Sequence, residues 1–154
     1  MSLYFPLFMD LSEKSVLFVG AGRVNTGRIK TMLDFAGSIT VVSPEADASV
    51  IALSDEGRIM LHRRRFDERD LDGADIVITS TGHAGTDVRI AGMCRRRGIL
   101  VNVASDKTLC DFYFPGIARR DPLVVGVTSS GEDHNLAAKA AAYFRKLIGD
   151  KRDD

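Results

Sequence analysis

Residues 16–30 read VLFVGAGRVNTGRIK, and this stretch decides the fold. Val16, Leu17, Phe18 and Val19 form a short uncharged apolar run, as a buried strand does. Gly20-Ala21-Gly22 follows at once. From there to about Gly37 the chain reads as a helix, with Ile29, Met32, Leu33 and Phe35 as its apolar positions. A strand, a glycine turn and a helix start make the front edge of a dinucleotide-binding βαβ unit. Gly20 permits the tight turn, and Gly22 lets the backbone approach a pyrophosphate. The N–H groups of the first helical turn then face its negative charge. The third glycine of G-x-G-x-x-G falls at Asn25, and a glycine comes two residues later, at Gly27. The alternative is a strand–helix connection that binds nothing.

A chain of 154 residues suggests one domain, or one domain with an appendage. With 45% hydrophobic and 27% charged residues it can bury a core. Basic and acidic residues balance at 21 each, which argues against a nucleic-acid partner held by a global basic field. Arg63-Arg64-Arg65 and Arg95-Arg96-Arg97 are local exceptions, read as solvated faces, with an anion-binding role as the alternative. Cys94 and Cys110 have neither C-x-x-C spacing nor a nearby histidine pair, so no metal site is expected and a reducing, cytoplasmic compartment is. Residues 1–14 lack a basic start and are broken by Pro6 and Asp10, so they do not read as a signal peptide. No stretch approaches the roughly 20 apolar residues of a membrane span.

Residues 3–9 are an apolar arm ahead of the first strand. Residues 38–42 form a second strand ending at Ser43-Pro44-Glu45. An acidic residue here accepts hydrogen bonds from the adenosine ribose and disfavours a 2′-phosphate, so Glu45 favours NAD over NADP; a solvated loop glutamate is the alternative. A short helix over 46–56 and a third strand over 59–62 follow, with His62 at a strand end. Charged residues 63–72 lead into a turn at Gly73. Residues 74–80 are a fourth strand ending in Thr79-Ser80-Thr81-Gly82-His83. Such strand ends are where α/β sheets hold ligands, against a reading as plain turn chemistry; His83 reaches the same crevice. Residues 86–97 form a helix with Val88, Ile90, Ala91, Met93 and Cys94 on its apolar face, capped by Gly98. In the fifth strand, 99–104, Asn102 needs a partner, either structural or the cofactor. Residues 123–128 form a further strand, and a helix over 135–148 is built on Leu136, Ala140, Tyr143, Phe144 and Leu147. The fold class expected is α/β, a Rossmann-type parallel sheet over 1–111 with a small α+β dimerisation extension over 112–154 that is too small to fold alone.

The order of these motifs resembles the precorrin-2 dehydrogenase family, which includes the N-terminal part of siroheme synthase. The residues that carry the resemblance are Tyr4-Phe5-Pro6-Leu7-Phe8, the Gly20–Val24 turn, Val41-Val42-Ser43-Pro44 and Val101-Asn102-Val103. Leu109-Cys110-Asp111-Phe112, Asp121-Pro122-Leu123-Val124-Val125 and Thr128-Ser129-Ser130-Gly131 complete them. The resemblance implies NAD-dependent oxidation of precorrin-2 to sirohydrochlorin in a homodimer; some members also insert iron or cobalt. It implies that Gly20, Gly22, Arg23, Val24, Ser43, Pro44 and Glu45 lie along the cofactor, with Thr81, Asn102 and Val103 toward the nicotinamide. It implies Arg119 and Arg120 facing the tetrapyrrole carboxylates and Ser129 near the tetrapyrrole pocket. The family's central aspartate maps to Asp106 if the register slips by one residue, and to Ser105 if it does not. Asn25, Gly27 and Gly82-His83 are not typical of the family, and the longer helical tail of many relatives is not expected here. The rival readings are an NAD-binding sensor that catalyses nothing, and a metal chelatase without dehydrogenase activity.

Overall fold

The structure, a computed structural model, describes residues 4–150. Leu3 of the expected arm and residues 151–154 of the expected extension lie outside the described residues. The chain divides into two compact units, one of residues 9–112 and one of residues 4–8 with 113–150.

The larger unit runs β1 (Ser15–Ala21), α1 (Arg23–Met32), β2 (Ser38–Ala46), α2 (Ala48–Asp55), β3 (Met60–His62), β4 (Ile76–Thr79), α3 (Ala84–Arg97) and β5 (Leu100–Val103). The strands form one parallel sheet in the order β3-β2-β1-β4-β5. Its core is the strands themselves, rich in β-branched residues. Val16, Leu17, Phe18 and Val19 are at most 2% exposed, because a parallel sheet is covered on both faces. Leu17, Val19, Val77, Val101 and Val103 pack against Ile90, Ala91, Met93 and Cys94 of α3. The chain builds outward from β1 in two directions, first to β2 and β3, then to β4 and β5. The reversal leaves a crevice beyond the C-terminal ends of β1 and β4, and this is the Rossmann-type arrangement expected from the sequence.

Several elements differ from expectation at their ends. Helix α1 stops at Met32, so Leu33 and Phe35 fall in the turn after it and are only half buried. The early stop lets Gly37 tuck against Leu11 and Ser12, where a Cβ would lie 2.4 Å from the Ser12 carbonyl oxygen. Strand β2 continues past Ser43 to Ala46, which pairs with Ala21 after a register shift in β1. Helix α3 begins two residues early, at Ala84, and Gly98 ends it in the left-handed conformation, φ 69°. The arginine clusters are partly ion-paired: Arg64 with Asp70, and Arg97 with both Asp72 and Glu68.

The smaller unit holds an antiparallel hairpin, β6 (Gly116–Arg120) and β7 (Leu123–Val127), and helix α4 (His134–Ile148). Residues 4–8 join this unit rather than the Rossmann unit in which the sequence reading put them. The Tyr4 and Tyr113 rings meet edge to face at 4.6 Å, with their hydroxyls 3.1 Å apart. Helix α4 packs differently from expectation. Ala141 is buried, and a Cβ on Gly116 would lie 2.9 Å from the Ala141 Cβ, so the helix sits on the hairpin through its small residues. Of its expected apolar face, Ala140 and Phe144 are half buried, while Leu136, Tyr143 and Leu147 are each more than 60% exposed.

Candidate functional site

The glycine turn closes the end of β1. Gly20 has φ +92°, and a Cβ there would lie 2.2 Å from the Ser80 carbonyl oxygen. Only glycine satisfies both the conformation and the approach of β1 to the tip of β4. Gly22 is the N-cap of α1 and differs in kind. Its φ is −78°, and a Cβ there would meet no atom within 4 Å. The backbone at Gly22 therefore faces open space at the positive end of a ten-residue helix whose first turn carries no acidic residue. Arg23 and Val24 are exposed beside it. That arrangement suits a pyrophosphate, which would receive the N–H groups that the first helical turn leaves without intrahelical partners.

The tip of β2 is tied to this turn. Ser43 is only 6% exposed; its Oγ accepts from the Ala21 N–H at 3.2 Å and donates to the Glu45 carbonyl at 2.5 Å. Ser43 thus supports the turn from below, while Pro44 and Glu45 stand exposed at the tip.

The tip of β4 is organised by a residue the sequence reading passed over. Asp87, in the first turn of α3, is 2% exposed. Its Oδ1 accepts from the Thr79 hydroxyl at 2.5 Å, the Thr81 hydroxyl at 2.9 Å and the Thr81 N–H at 3.2 Å. Thr81 is therefore held in place beside the crevice, and its hydroxyl also meets the His83 carbonyl and N–H. The signal in the sequence was an aspartate one turn into a helix that follows hydroxyl residues, a common way to satisfy a loop at a helix N-terminus. His83 is exposed, at the N-cap of α3.

The end of β5 is built from the most distinctive part of the family resemblance. Asn102 is 3% exposed; its Oδ1 accepts from Arg28 Nη1 of α1 at 2.8 Å, and its Nδ2 donates to the Phe112 carbonyl at 2.7 Å. Burial pushes the Arg28 pKa below the usual arginine value. The Val101 N–H donates to the Asp111 carboxylate at 2.9 Å, and the Val101 carbonyl accepts from the Asp111 N–H at 2.8 Å. The Val103 N–H and carbonyl both lie 3.2 Å from Cys110 Sγ. Residues 110–112 so clasp the outer edge of β5, and burial pushes the Cys110 thiol pKa up. The Asn102 amide is thus engaged at both ends within the protein.

Ser105 is exposed just past β5. Asp106 caps a short 3-10 helix, accepting from the Thr108 N–H at 2.9 Å and the Thr108 hydroxyl at 2.6 Å. These bonds hold its carboxyl below the usual carboxylate range. In the smaller unit, Arg119 pairs with Asp121 at 2.9 Å, Arg120 donates to the Ile148 carbonyl at 3.0 Å, and Ser129 Oγ accepts from the Asp133 N–H at 3.1 Å. A cleft of about 270 Å³, lined by Ser15, Ser38, Met60, His62 and Arg69 among others, lies toward the N-terminal ends of β1 and β2. It is at the wrong end of the sheet for a Rossmann ligand.

Comparison with known proteins agrees with this geometry. A family described as "Putative NAD(P)-binding" matches residues 7–116. Siroheme synthase of Pseudoalteromonas atlantica is 36% identical over 145 residues, covering 94% of this chain and 30% of that protein. Siroheme synthase of Methylococcus capsulatus is 35% identical over 145 residues, covering 94% and 31%. The chain thus spans about a third of the length of these relatives. The solved structure of SirC, a precorrin-2 dehydrogenase, superposes with a TM-score of 0.72 at 24% identity, covering 94% of this chain and 71% of that one, and shows the same fold. With a glycine turn shaped for a pyrophosphate and a family match over most of its length, the chain belongs to this NAD(P)-binding family.

Proposed function

We propose that this chain carries the NAD-dependent oxidation of precorrin-2 to sirohydrochlorin. The observation that supports it most is similarity to siroheme synthases along 94% of the chain, joined to a glycine turn that fits a dinucleotide. Bound NAD would accept the hydride. The chain's own residues bind, orient and hold charge. Gly20, Gly22, Arg23 and Val24 receive the pyrophosphate, and Pro44 and Glu45 border the adenosine, with Glu45 favouring NAD over NADP. Thr81, Asn102 and Val103 lie at the ends of β4 and β5, toward the reacting ring. We assign Arg119 and Arg120 to the substrate carboxylates, since guanidinium groups pair well with carboxylates, and Ser129 to the tetrapyrrole pocket. Asp106 is the proton acceptor in this reading; Ser105, the other candidate for the family's aspartate position, carries no basic group to take the proton. Hydrogen bonds from Thr108 hold the Asp106 carboxyl below the usual carboxylate range, and its negative charge would also stabilise positive charge as the macrocycle is oxidised.

The outward face of α4 supports a homodimer. Leu136, Tyr143 and Leu147 lie at helical spacing and are exposed, as is Leu123 of the hairpin, which gives the smaller unit an apolar surface that a second copy would cover. Tyr143→Glu together with Leu147→Glu should convert the dimer to monomer by sedimentation velocity. A wild-type protein that sediments as a monomer at tens of micromolar would defeat the dimer. A cytoplasmic setting fits the free thiols of Cys94 and Cys110; no described helix is long and apolar enough to cross a membrane.

The decisive assay is anaerobic: full chain, precorrin-2 and NAD, with sirohydrochlorin and NADH followed by absorbance. Turnover is expected in wild type and in Ser105→Ala, with Asp106→Ala slower by about 100-fold. Wild-type protein that binds NAD and turns over no tetrapyrrole would favour the sensor. Metal insertion into sirohydrochlorin without NAD would favour the chelatase.

A further inference from the structure

The third position of the glycine fingerprint ordinarily takes glycine so that helix and strand can pack closely. Here it holds Asn25, on the first turn of α1 and 0% exposed. Its Nδ2 donates to the Gly20 carbonyl at 2.8 Å and the Val19 carbonyl at 3.3 Å. The opposite amide orientation would press Oδ1 against two carbonyl oxygens, so the network fixes which way the group faces. In that orientation Oδ1 is buried with no hydrogen-bond partner. An unsatisfied buried acceptor is unfavourable, and its presence at a glycine turn asks for a reason.

The reason lies in the peptide that Asn25 grips. The Gly20 carbonyl and the Ala21 N–H belong to one planar peptide unit and point in opposite directions. Asn25 holds the carbonyl end, and Ser43 Oγ of β2 holds the N–H end at 3.2 Å. Ser43 in turn donates to the Glu45 carbonyl. Asn25 Nδ2–H, the Gly20–Ala21 peptide, the Ser43 hydroxyl and the Glu45 carbonyl therefore form one hydrogen-bond chain with a single donor direction, in which each bond polarises the next. The chain runs from the first turn of α1, through the glycine turn, to the exposed tip of β2.

We propose that Asn25 and Ser43 are paired positioning residues that clamp the Gly20–Ala21 peptide from both ends, presetting the glycine turn and the β2 tip for the two halves of one dinucleotide. The pyrophosphate end is set through Gly22, and the ribose end through Glu45. The proposal rests on dinucleotide binding and is independent of which substrate is oxidised.

The test is a double-mutant cycle on the full chain, with Asn25→Ala, Ser43→Ala and the double variant titrated calorimetrically with NAD. Each single change should weaken NAD about tenfold, and the double variant should be no more than about twofold worse than the weaker single, because both act through one peptide. Adenosine, which has no pyrophosphate to reach the turn, should lose less affinity than NAD. Exchange of the Ala21 amide hydrogen, followed by NMR without ligand, should be slow in wild type and faster in both singles. Asn25→Ser keeps a donor toward Gly20 and should recover part of the affinity; it also serves if Asn25→Ala does not fold. Fully additive losses, or NAD affinity unchanged in both singles, would overturn the clamp. Protected Ala21 exchange in a wild type that binds neither NAD nor NADP would instead overturn the dinucleotide reading.

Discussion

Gly20→Ala should leave little folded protein, while Gly22→Ala, two residues on, should fold normally and bind NAD poorly. The contrast follows from where the two missing Cβ atoms would go. At Gly20 the new methyl would sit 2.2 Å from the Ser80 carbonyl oxygen and 2.8 Å from its carbon, at φ +92°. Both obstacles are backbone, so neither a rotamer change nor a side-chain shift relieves them. The turn must open or β1 must part from the tip of β4, at a loss of about 3–5 kcal/mol. At Gly22 the methyl would enter open space at an ordinary φ of −78°, and stability should change by less than about 1 kcal/mol. The open space is where the pyrophosphate would lie, so NAD affinity should fall by about tenfold or more. Urea denaturation and calorimetric titration of both variants separate the effects. Wild-type NAD affinity in Gly22→Ala would mean that the ligand does not cross the turn.

The second large effect is at Asp87. Asp87→Ala removes the shared acceptor of the Thr79 hydroxyl, the Thr81 hydroxyl and the Thr81 N–H. Thr79 is fully buried, so its hydroxyl has no route to water once the carboxylate is gone. Stability should fall by about 2–4 kcal/mol, read as a lower urea midpoint at unchanged slope. Asp87→Asn keeps an acceptor oxygen at the same place and should lose less than half as much. NAD affinity should also fall in Asp87→Ala, because Thr81 is no longer fixed at the end of β4. A destabilisation below about 0.5 kcal/mol would show that the threonines find other partners.

The parts of this structure that local sequence rules govern were legible in advance. Residues 16–30 announced strand, turn and helix, since apolar runs and glycine spacing report backbone needs directly. The Gly98 cap and the parallel strands followed for the same reason. What escaped was whatever depends on partners that lie on another element. Asp87 looked like an ordinary helix residue because its partners lie on a strand eight residues earlier and on the loop after it. Ser43 read as a strand tip facing the cofactor, since nothing local shows that its hydroxyl is engaged by Ala21. Leu136, Tyr143 and Leu147 made a convincing apolar stripe, and periodicity identified the stripe correctly. It could not say that the helix would rest on Ala141 and turn the stripe outward. Leu109 to Phe112 was recognisable as a signature, yet its physical task, bonding to Val101, Asn102 and Val103, depends on a return of the chain that no pattern in the segment encodes.

That return has a consequence for the protein's life before it is complete. A parallel sheet whose outermost strand is bare offers a row of unpaired amides to any passing strand, a route to aggregation. Here the outermost strand on one side is β5, and the residues that seal it are the next ones made. Between emergence of Val103 and of Phe112 a ribosome adds nine residues, roughly one second at ordinary synthesis rates. The sheet thus carries its own guard immediately downstream, and the residues that shut its sticky side emerge ahead of the hairpin and α4.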